Sequence, residues 1–211
     1  MNESTYSIAC GLLEMQAIKF NFKEPYIWTS GIKSPVYCDN RLTLSNHSLR
    51  SIIKEAYAQA IKEKYPEAQL IAGVATGAIA QGALVADKLK LPFVYVREKP
   101  KGHGMKKTVE GLIEYGQKTV IIEDLVSTGG SSLKALEELK NENANVLGMI
   151  AVFSYGFPEA AERFLVNNCA LHIILTFQTL IKIALEKGYI DQQQSVLLQE
   201  WHNSPNSFIW K

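Results

Sequence analysis

Cysteine is scarce in this chain. Only Cys10, Cys38 and Cys169 occur. The number is odd and no two stand in a CxxC pair, so the chain reads as a reduced, cytoplasmic protein with cysteines as small core residues. Excess charge of either sign is also missing. Lys and Arg number 22 against 21 Asp and Glu, a formal net charge of +1. That removes the electrostatic case for non-specific nucleic-acid binding. No apolar run approaches the length of a membrane span, so no membrane association is expected. Residues 1–6 lack the basic start and apolar stretch of a secretory signal. Repeats and low-complexity tracts are absent.

What remains is 211 residues, 47% hydrophobic and 20% charged. That suits a single domain over 1–211 with room for a sizeable core. The most informative stretch runs from Thr119 to Ser132. Thr119, Val120, Ile121 and Ile122 read as a buried parallel strand. Glu123 and Asp124 follow at its end. Leu125 and Val126 lead into Ser127, Thr128, Gly129, Gly130, Ser131 and Ser132, after which apolar residues resume at helical spacing. No Gly-Lys-Ser/Thr closes this loop, so it is not a P-loop, and the Gly-x-Gly-x-x-Gly spacing of dinucleotide sites is absent. In an open α/β sheet, ligands sit beyond the carboxyl ends of the strands. A helix starting there points free N–H groups and its positive dipole end at an anion. Glycines let the backbone approach and hydroxyls add donors. One element thus offers a phosphate cradle, with two acids beside it suited to hydroxyls or a hydrated metal ion. The bland alternative is an ordinary strand–loop–helix crossover with a polar turn.

This stretch resembles the phosphoribosyl-diphosphate (PRPP) signature of the type I phosphoribosyltransferases. The resemblance implies that Glu123 and Asp124 bind the ribose hydroxyls and that residues 125–131 bind the 5′-phosphate.

Elsewhere the pattern predicts helices at about 4–20, capped by Ser4, and at 45–65, ended by Pro66. Strands are expected at 70–74, 92–96, 146–153 and 171–175. Helices are expected at 79–89, 157–166, up to 186, and near 192–201. Repeated alternation of strand and helix predicts an α/β fold with a mostly parallel sheet flanked by helices. Residues 1–45 do not fit that alternation and read as a small N-terminal hood over the sheet's carboxyl edge.

Three further segments carry chemistry. From Arg97 to Lys107 the chain holds five cationic residues and a histidine, with two glycines, a proline and almost nothing apolar. Such a segment packs no core and predicts a mobile loop. It is either a solvated charged turn or an anion-gripping lid that excludes water. Arg97, Lys101, His103 and Gly104 resemble the catalytic loop of the orotate phosphoribosyltransferases, which in that family reaches into the neighbouring subunit's site. Many members carry Lys directly after the Arg; here Glu98 stands there and Lys99 follows. His103 has an unperturbed pKa suited to a proton donor or an anion contact, and equally to a plain loop position.

The run Ser30-Gly31-Ile32-Lys33-Ser34-Pro35 resembles the same family's N-terminal motif, which implies a part for Lys33 in shaping the orotate pocket. Thr29 stands where some members carry a phosphate-contacting Lys. Arg41 is open to two readings, a bidentate partner of the orotate carboxylate or a structural ion pair. Finally, Gly73-Val74-Ala75-Thr76-Gly77-Ala78 reads as a strand feeding a pyrophosphate-binding turn or a tight packing turn. Some family members have Lys where Gly77 stands, so any contact here is main-chain.

The resemblance implies transfer of the phosphoribosyl group of PRPP to orotate, giving orotidine 5′-phosphate and pyrophosphate in pyrimidine biosynthesis. Lys101, His103 and Asp124 would be catalytic, Ser127 would touch orotate, and Mg²⁺ would be held mainly by PRPP and water rather than by protein ligands. The family also implies a homodimer with shared sites. The rivals are a purine or uracil phosphoribosyltransferase, and a non-catalytic PRPP-sensing regulator. The orotate-type motifs argue against the first. The second would be expected to carry a basic nucleic-acid surface or an added DNA-binding domain, and neither shows in a chain of net charge +1.

Overall fold

The computed structural model describes residues 2–28, 31–98 and 107–210. Thr29, Ser30, Lys99, Lys101, His103 and Gly104 lie outside them. The chain opens with helix α1 (Glu3–Glu14). Asn2, not Ser4, caps it, accepting the Thr5 N–H at 2.8 Å, while Ser4 sits inside the helix and donates its hydroxyl to Asn2 at 3.1 Å. The helix stops short of Phe20 because Gln16 takes a left-handed φ of 54°, which breaks the hydrogen-bond ladder. Residues 18–20 are instead strand β1 (Ile18–Phe20), followed by β2 (Tyr26–Ile27), β3 (Lys33–Ser34) and β4 (Val36–Cys38). These pair as two small antiparallel ribbons, β1 with β4 and β2 with β3, apart from the main sheet. A 3-10 turn (Asn40–Ser45) leads to α2 (His47–Lys64), whose N-cap Asn46 accepts the Leu49 N–H.

The main sheet then builds by alternation. In chain order come β5 (Leu70–Val74), α3 (Ile79–Leu89), β6 (Phe93–Val96), β7 (Val109–Glu110), β8 (Lys118–Val126), α4 (Gly130–Asn141), β9 (Asn145–Ser154), α5 (Pro158–Val166) and β10 (Leu171–Thr176). Helices α6 (Phe177–Glu186) and α7 (Gln192–Asn203) complete it. The six strands lie in the order β10-β9-β8-β5-β6-β7. All neighbours are parallel except β7, which returns antiparallel along β6.

Side chains alternate across the strands and bury both faces. Ile71, Val120, Ile122, Ile150 and Val152 join Leu12, Ile53, Val85, Leu180 and Leu198 from helices α1, α2, α3, α6 and α7. Leu70, Ala72, Ile121, Met149 and Ala151 join Leu136, Leu139, Ala160 and Phe164 from α4 and α5. This is the expected parallel sheet between helical layers. Doubly covered strands explain the unbroken apolar runs.

Candidate active site

The sheet order places the site. After β5 the chain moves outward to β6 and β7, then crosses back to lay β8 on the other side of β5 and continues away to β9 and β10. The point where the winding reverses, between β5 and β8, is where a crevice opens at the strands' carboxyl ends. There β8 outlasts β5. The β5 pairing ends at Gly73 opposite Ile122, whereas the β9 pairing runs on to Val126 opposite Ser154. Glu123 and Asp124 therefore sit within a longer strand, not past its end, on the part that β5 has left. Strand pairing with β9 is a tertiary effect that local pattern does not reveal.

Side chains from outside the sheet fix this exposed segment. The Tyr57 hydroxyl of α2 donates to the Glu123 carbonyl. Asn40, in the 3-10 turn, donates its amide to the Asp124 carbonyl at 2.6 Å. The two carboxylates then diverge in role. Glu123 is 3% exposed. It accepts the Ser132 hydroxyl at 2.7 Å and the Asp124 N–H at 3.1 Å. Burial, and then the charge of Asp124, push its pKa well up. Burial also raises the Asp124 pKa. Asp124 packs against the β5–α3 turn so closely that a Cβ on Gly77 would lie 2.1 Å from its Oδ2. That turn contains a cis peptide between Ala75 and Thr76.

The resulting cavity measures about 690 Å³. Glu123, Asp124, Leu125, Ser127, Thr128, Gly130 and Ser131 line it on one side, with Ala75, Thr76 and Gly77 beside them. Gly129 takes φ +80° immediately before α4, a conformation open to glycine. No side chain caps α4, so its first N–H groups and dipole remain available to an anion. Of the residues assigned to PRPP in this loop, Val126 turns away into the core between α4 and the sheet, and Gly129 is buried and does not line the cavity.

The other expected residues divide. Arg41 lines the cavity, but its Nε and Nη2 pair bidentately with Asp39 at 2.7 and 2.8 Å. Asp39 holds the guanidinium charged, and Arg41 in turn lowers the Asp39 pKa. The ion-pair reading is thus realised, with the residue still at the cavity. Lys33 is exposed and is not among the cavity-lining residues. Its carbonyl accepts the Trp201 indole N–H at 2.8 Å. Arg97 follows β6, pairs with Glu110 at 3.1 Å, and lines a second depression that shares Ala75 and Thr76 with the main cavity. Lys101 and His103 lie outside the described residues.

An aromatic wall escaped the sequence reading. Trp28 and Tyr155 line the cavity with ring centroids 4.5 Å apart. Behind them Phe157 and Trp201 pack edge to face, and His202 stacks on Phe177 at 4.7 Å. Helix α7 thus backs the cavity and ties β3 to it. The aromatic spacing Phe153, Tyr155, Phe157 at the end of β9 was the available signal.

A parallel sheet with a hydroxyl-rich, uncapped helix start and an acid pair at its switch point fits the class of the phosphoribosyltransferases. Residues 43–179 match the phosphoribosyl transferase domain family. The chain is 50% identical to orotate phosphoribosyltransferase of Porphyromonas gingivalis over 201 residues, covering 95% of this chain and 96% of that one. It is 46% identical to the enzyme of that name from Enterococcus faecalis, covering 99% of each chain. The crystal structure of orotate phosphoribosyltransferase from Aeropyrum pernix superposes with a TM-score of 0.75 at 27% identity, over 87% of this chain and 99% of that one. Leishmania donovani UMP synthase shares the fold, with a TM-score of 0.82 at 21% identity, over 94% of this chain and 42% of that one. The chain belongs to the orotate phosphoribosyltransferase family. Among the described residues no helix is long and apolar enough to cross a membrane.

Proposed function

We propose that this chain breaks the bond between ribose C1 and pyrophosphate in PRPP and joins C1 to orotate, releasing orotidine 5′-phosphate and pyrophosphate. One observation carries the site assignment: the uncapped start of α4, with Ser127, Thr128, Gly130 and Ser131, shares a cavity with Asp124. The 5′-phosphate would take the α4 N-terminus and its hydroxyls. Asp124 would accept from the ribose hydroxyls. Glu123, already engaged by Ser132 and the Asp124 N–H, would hold that arrangement from beneath. Orotate would lie near Ser127, toward the wall of Trp28 and Tyr155.

Bond breaking leaves positive charge on the sugar and additional negative charge on pyrophosphate. Orotate is already an anion, so no strong base is required. The rate would come from positioning and from cations placed where charge develops. Lys101 and His103 are the candidates for those cations. Mg²⁺ would be carried mainly by the substrate and water. An ion bound to PRPP oxygens and water, as Mg²⁺ prefers, would neutralise charge on the departing pyrophosphate.

The test is absorbance change on mixing purified protein with PRPP, Mg²⁺ and either orotate or uracil. A site that pairs the orotate carboxylate should favour orotate by about 10⁴, because uracil leaves its partner unsatisfied. Equal turnover of the two bases would overturn the orotate assignment. The family's shared-site homodimer has its own test. Lys101→Ala and Asp124→Asn subunits, each impaired alone, should regain activity when co-refolded, since one site of each heterodimer then carries neither lesion. Subunits shown to exchange without recovery would refute a shared site.

A further inference from the structure

One polar group in the cavity wall is left without a partner. Tyr155 stands just past the end of β9. Its N–H donates to the Val126 carbonyl at 3.2 Å, which sets it beside Ser127, and its carbonyl accepts from His202 Nε2 at 2.5 Å. The ring is held on several sides. Trp28, Phe153 and Phe157 have ring centroids 4.5, 5.0 and 5.7 Å away. The residue is 1% exposed, yet among the described residues its hydrogen bonds are these main-chain ones and none engages the hydroxyl. Of the described polar side-chain atoms sealed from solvent, those of Gln81 alone lack a partner. The Tyr155 hydroxyl is therefore not sealed, and it opens on the cavity that the residue lines. Burial, then the neighbouring Cys38 and Tyr37, push its pKa well up, so it is a protonated donor at neutral pH. Phenylalanine would fill this aromatic cage without an idle hydroxyl. A polar tip in so nearly closed a wall costs stability unless something meets it.

We infer that Tyr155 determines specificity for the base, its hydroxyl donating to the carboxylate of orotate. The inference rests on the proposed transfer to orotate. A carboxylate taken out of water needs donors, and the cavity has few to spare. Arg41 is the only cation among its described lining residues, and Asp39 already takes two of the guanidinium's N–H groups. Thr128 and Ser131 lie at the start of α4, where the phosphate is assigned. A phenol is the most acidic of the side-chain hydroxyls. It is thus the strongest neutral hydroxyl donor to an anion, and the bond it makes is charge-assisted. Because the aromatic cage already fixes the ring, little side-chain freedom is lost on binding.

The test uses Tyr155→Phe in the full chain, with initial rates at varied orotate and at varied PRPP, and with uracil as a competing base. Loss of one charge-assisted hydrogen bond should raise KM for orotate about tenfold to hundredfold. The carboxylate keeps its charge throughout the transfer, so the bond serves ground state and transition state alike; kcat and KM for PRPP should stay within about twofold. Inhibition by uracil, which has no carboxylate, should be the same in both proteins. The melting temperature should not fall, since no group of the protein loses a partner. If Tyr155 serves packing alone, KM for orotate stays at the wild-type value and the inference is overturned. It is overturned equally if uracil inhibition weakens as much as orotate binding, which would put the hydroxyl on a ring carbonyl, or if KM for PRPP rises instead. A wild type that forms no orotidine 5′-phosphate would remove the proposed function and the inference with it. Should Tyr155→Phe fail to fold, Tyr155→Met, whose flexible side chain fills irregular gaps, decides by the same criteria.

Discussion

Gly77→Ala isolates the contact between the β5–α3 turn and the acid pair. Gly77 does not use a left-handed φ, so alanine suits its backbone, and the loss of unfolded-state freedom should by itself stabilise by about 0.4–1 kcal/mol. The obstacle is space. The new methyl would fall 2.1 Å from Asp124 Oδ2 and 2.5 Å from Oδ1, where ordinary contact begins at 3.4 Å. The carboxylate must retreat by more than an ångström, and it is the group assigned to the ribose hydroxyls. Misplacement on that scale costs about 10²-fold, or roughly 2.7 kcal/mol in transition-state binding. We expect kcat/KM for PRPP to fall by about that factor while the melting temperature stays level or rises. Initial rates at saturating orotate with varied PRPP give the number. The same change made on Asp124→Ala should be silent, because the clashing atoms are gone. Wild-type kinetics for Gly77→Ala, or an equal loss in the Asp124→Ala background, would refute the reasoning.

Three other outcomes follow from the site. Glu123 is raised by burial and by the Asp124 charge, so the folded chain holds this proton more tightly than the unfolded one. Wild-type stability should then decline as pH rises from the ordinary carboxylate range through the raised value. Glu123→Gln should gain in melting temperature over wild type at pH 8 relative to pH 5, and parallel curves for the two proteins would contradict the shift. Tyr57→Phe leaves the Glu123 carbonyl without its hydroxyl donor, which should cost about 1–3 kcal/mol in urea unfolding; an unchanged midpoint would show that water serves the carbonyl equally well. Arg41→Ala breaks a solvent-exposed pair with Asp39, so stability should change by no more than about 1 kcal/mol, while KM for orotate should rise. Unaltered orotate affinity would leave Arg41 as a structural partner of Asp39 alone.

The parts of this site legible in sequence are those contiguous in the chain. Thr119 to Ser132 carries strand, acids, loop and helix start in a single run, so local chemistry sufficed to find it. The parts that were not legible depend on distant neighbours. The strand continues through Val126 only because β9 pairs with it that far. Glu123 and Asp124 look alike in sequence, yet Ser132, Tyr57 and Asn40 assign them different surroundings. Trp28, Tyr155 and Trp201 come from three remote segments and form one wall only after folding. Arg41 was left between two partners because Asp39, two residues earlier, competes with any ligand by proximity alone.

The central claim is that the Asp124 cavity transfers the phosphoribosyl group to orotate. Its most direct measurement is product balance in a closed reaction of PRPP, orotate and Mg²⁺, with Asp124→Asn run in parallel. Wild type should form orotidine 5′-phosphate and pyrophosphate in equal amounts. Asp124→Asn, folded to the same melting profile, should fall by the effect of one lost charge-assisted hydrogen bond, about 1.5–3 kcal/mol or at least tenfold in kcat/KM for PRPP. No orotidine 5′-phosphate from the wild type, or undiminished product from Asp124→Asn, would contradict the account.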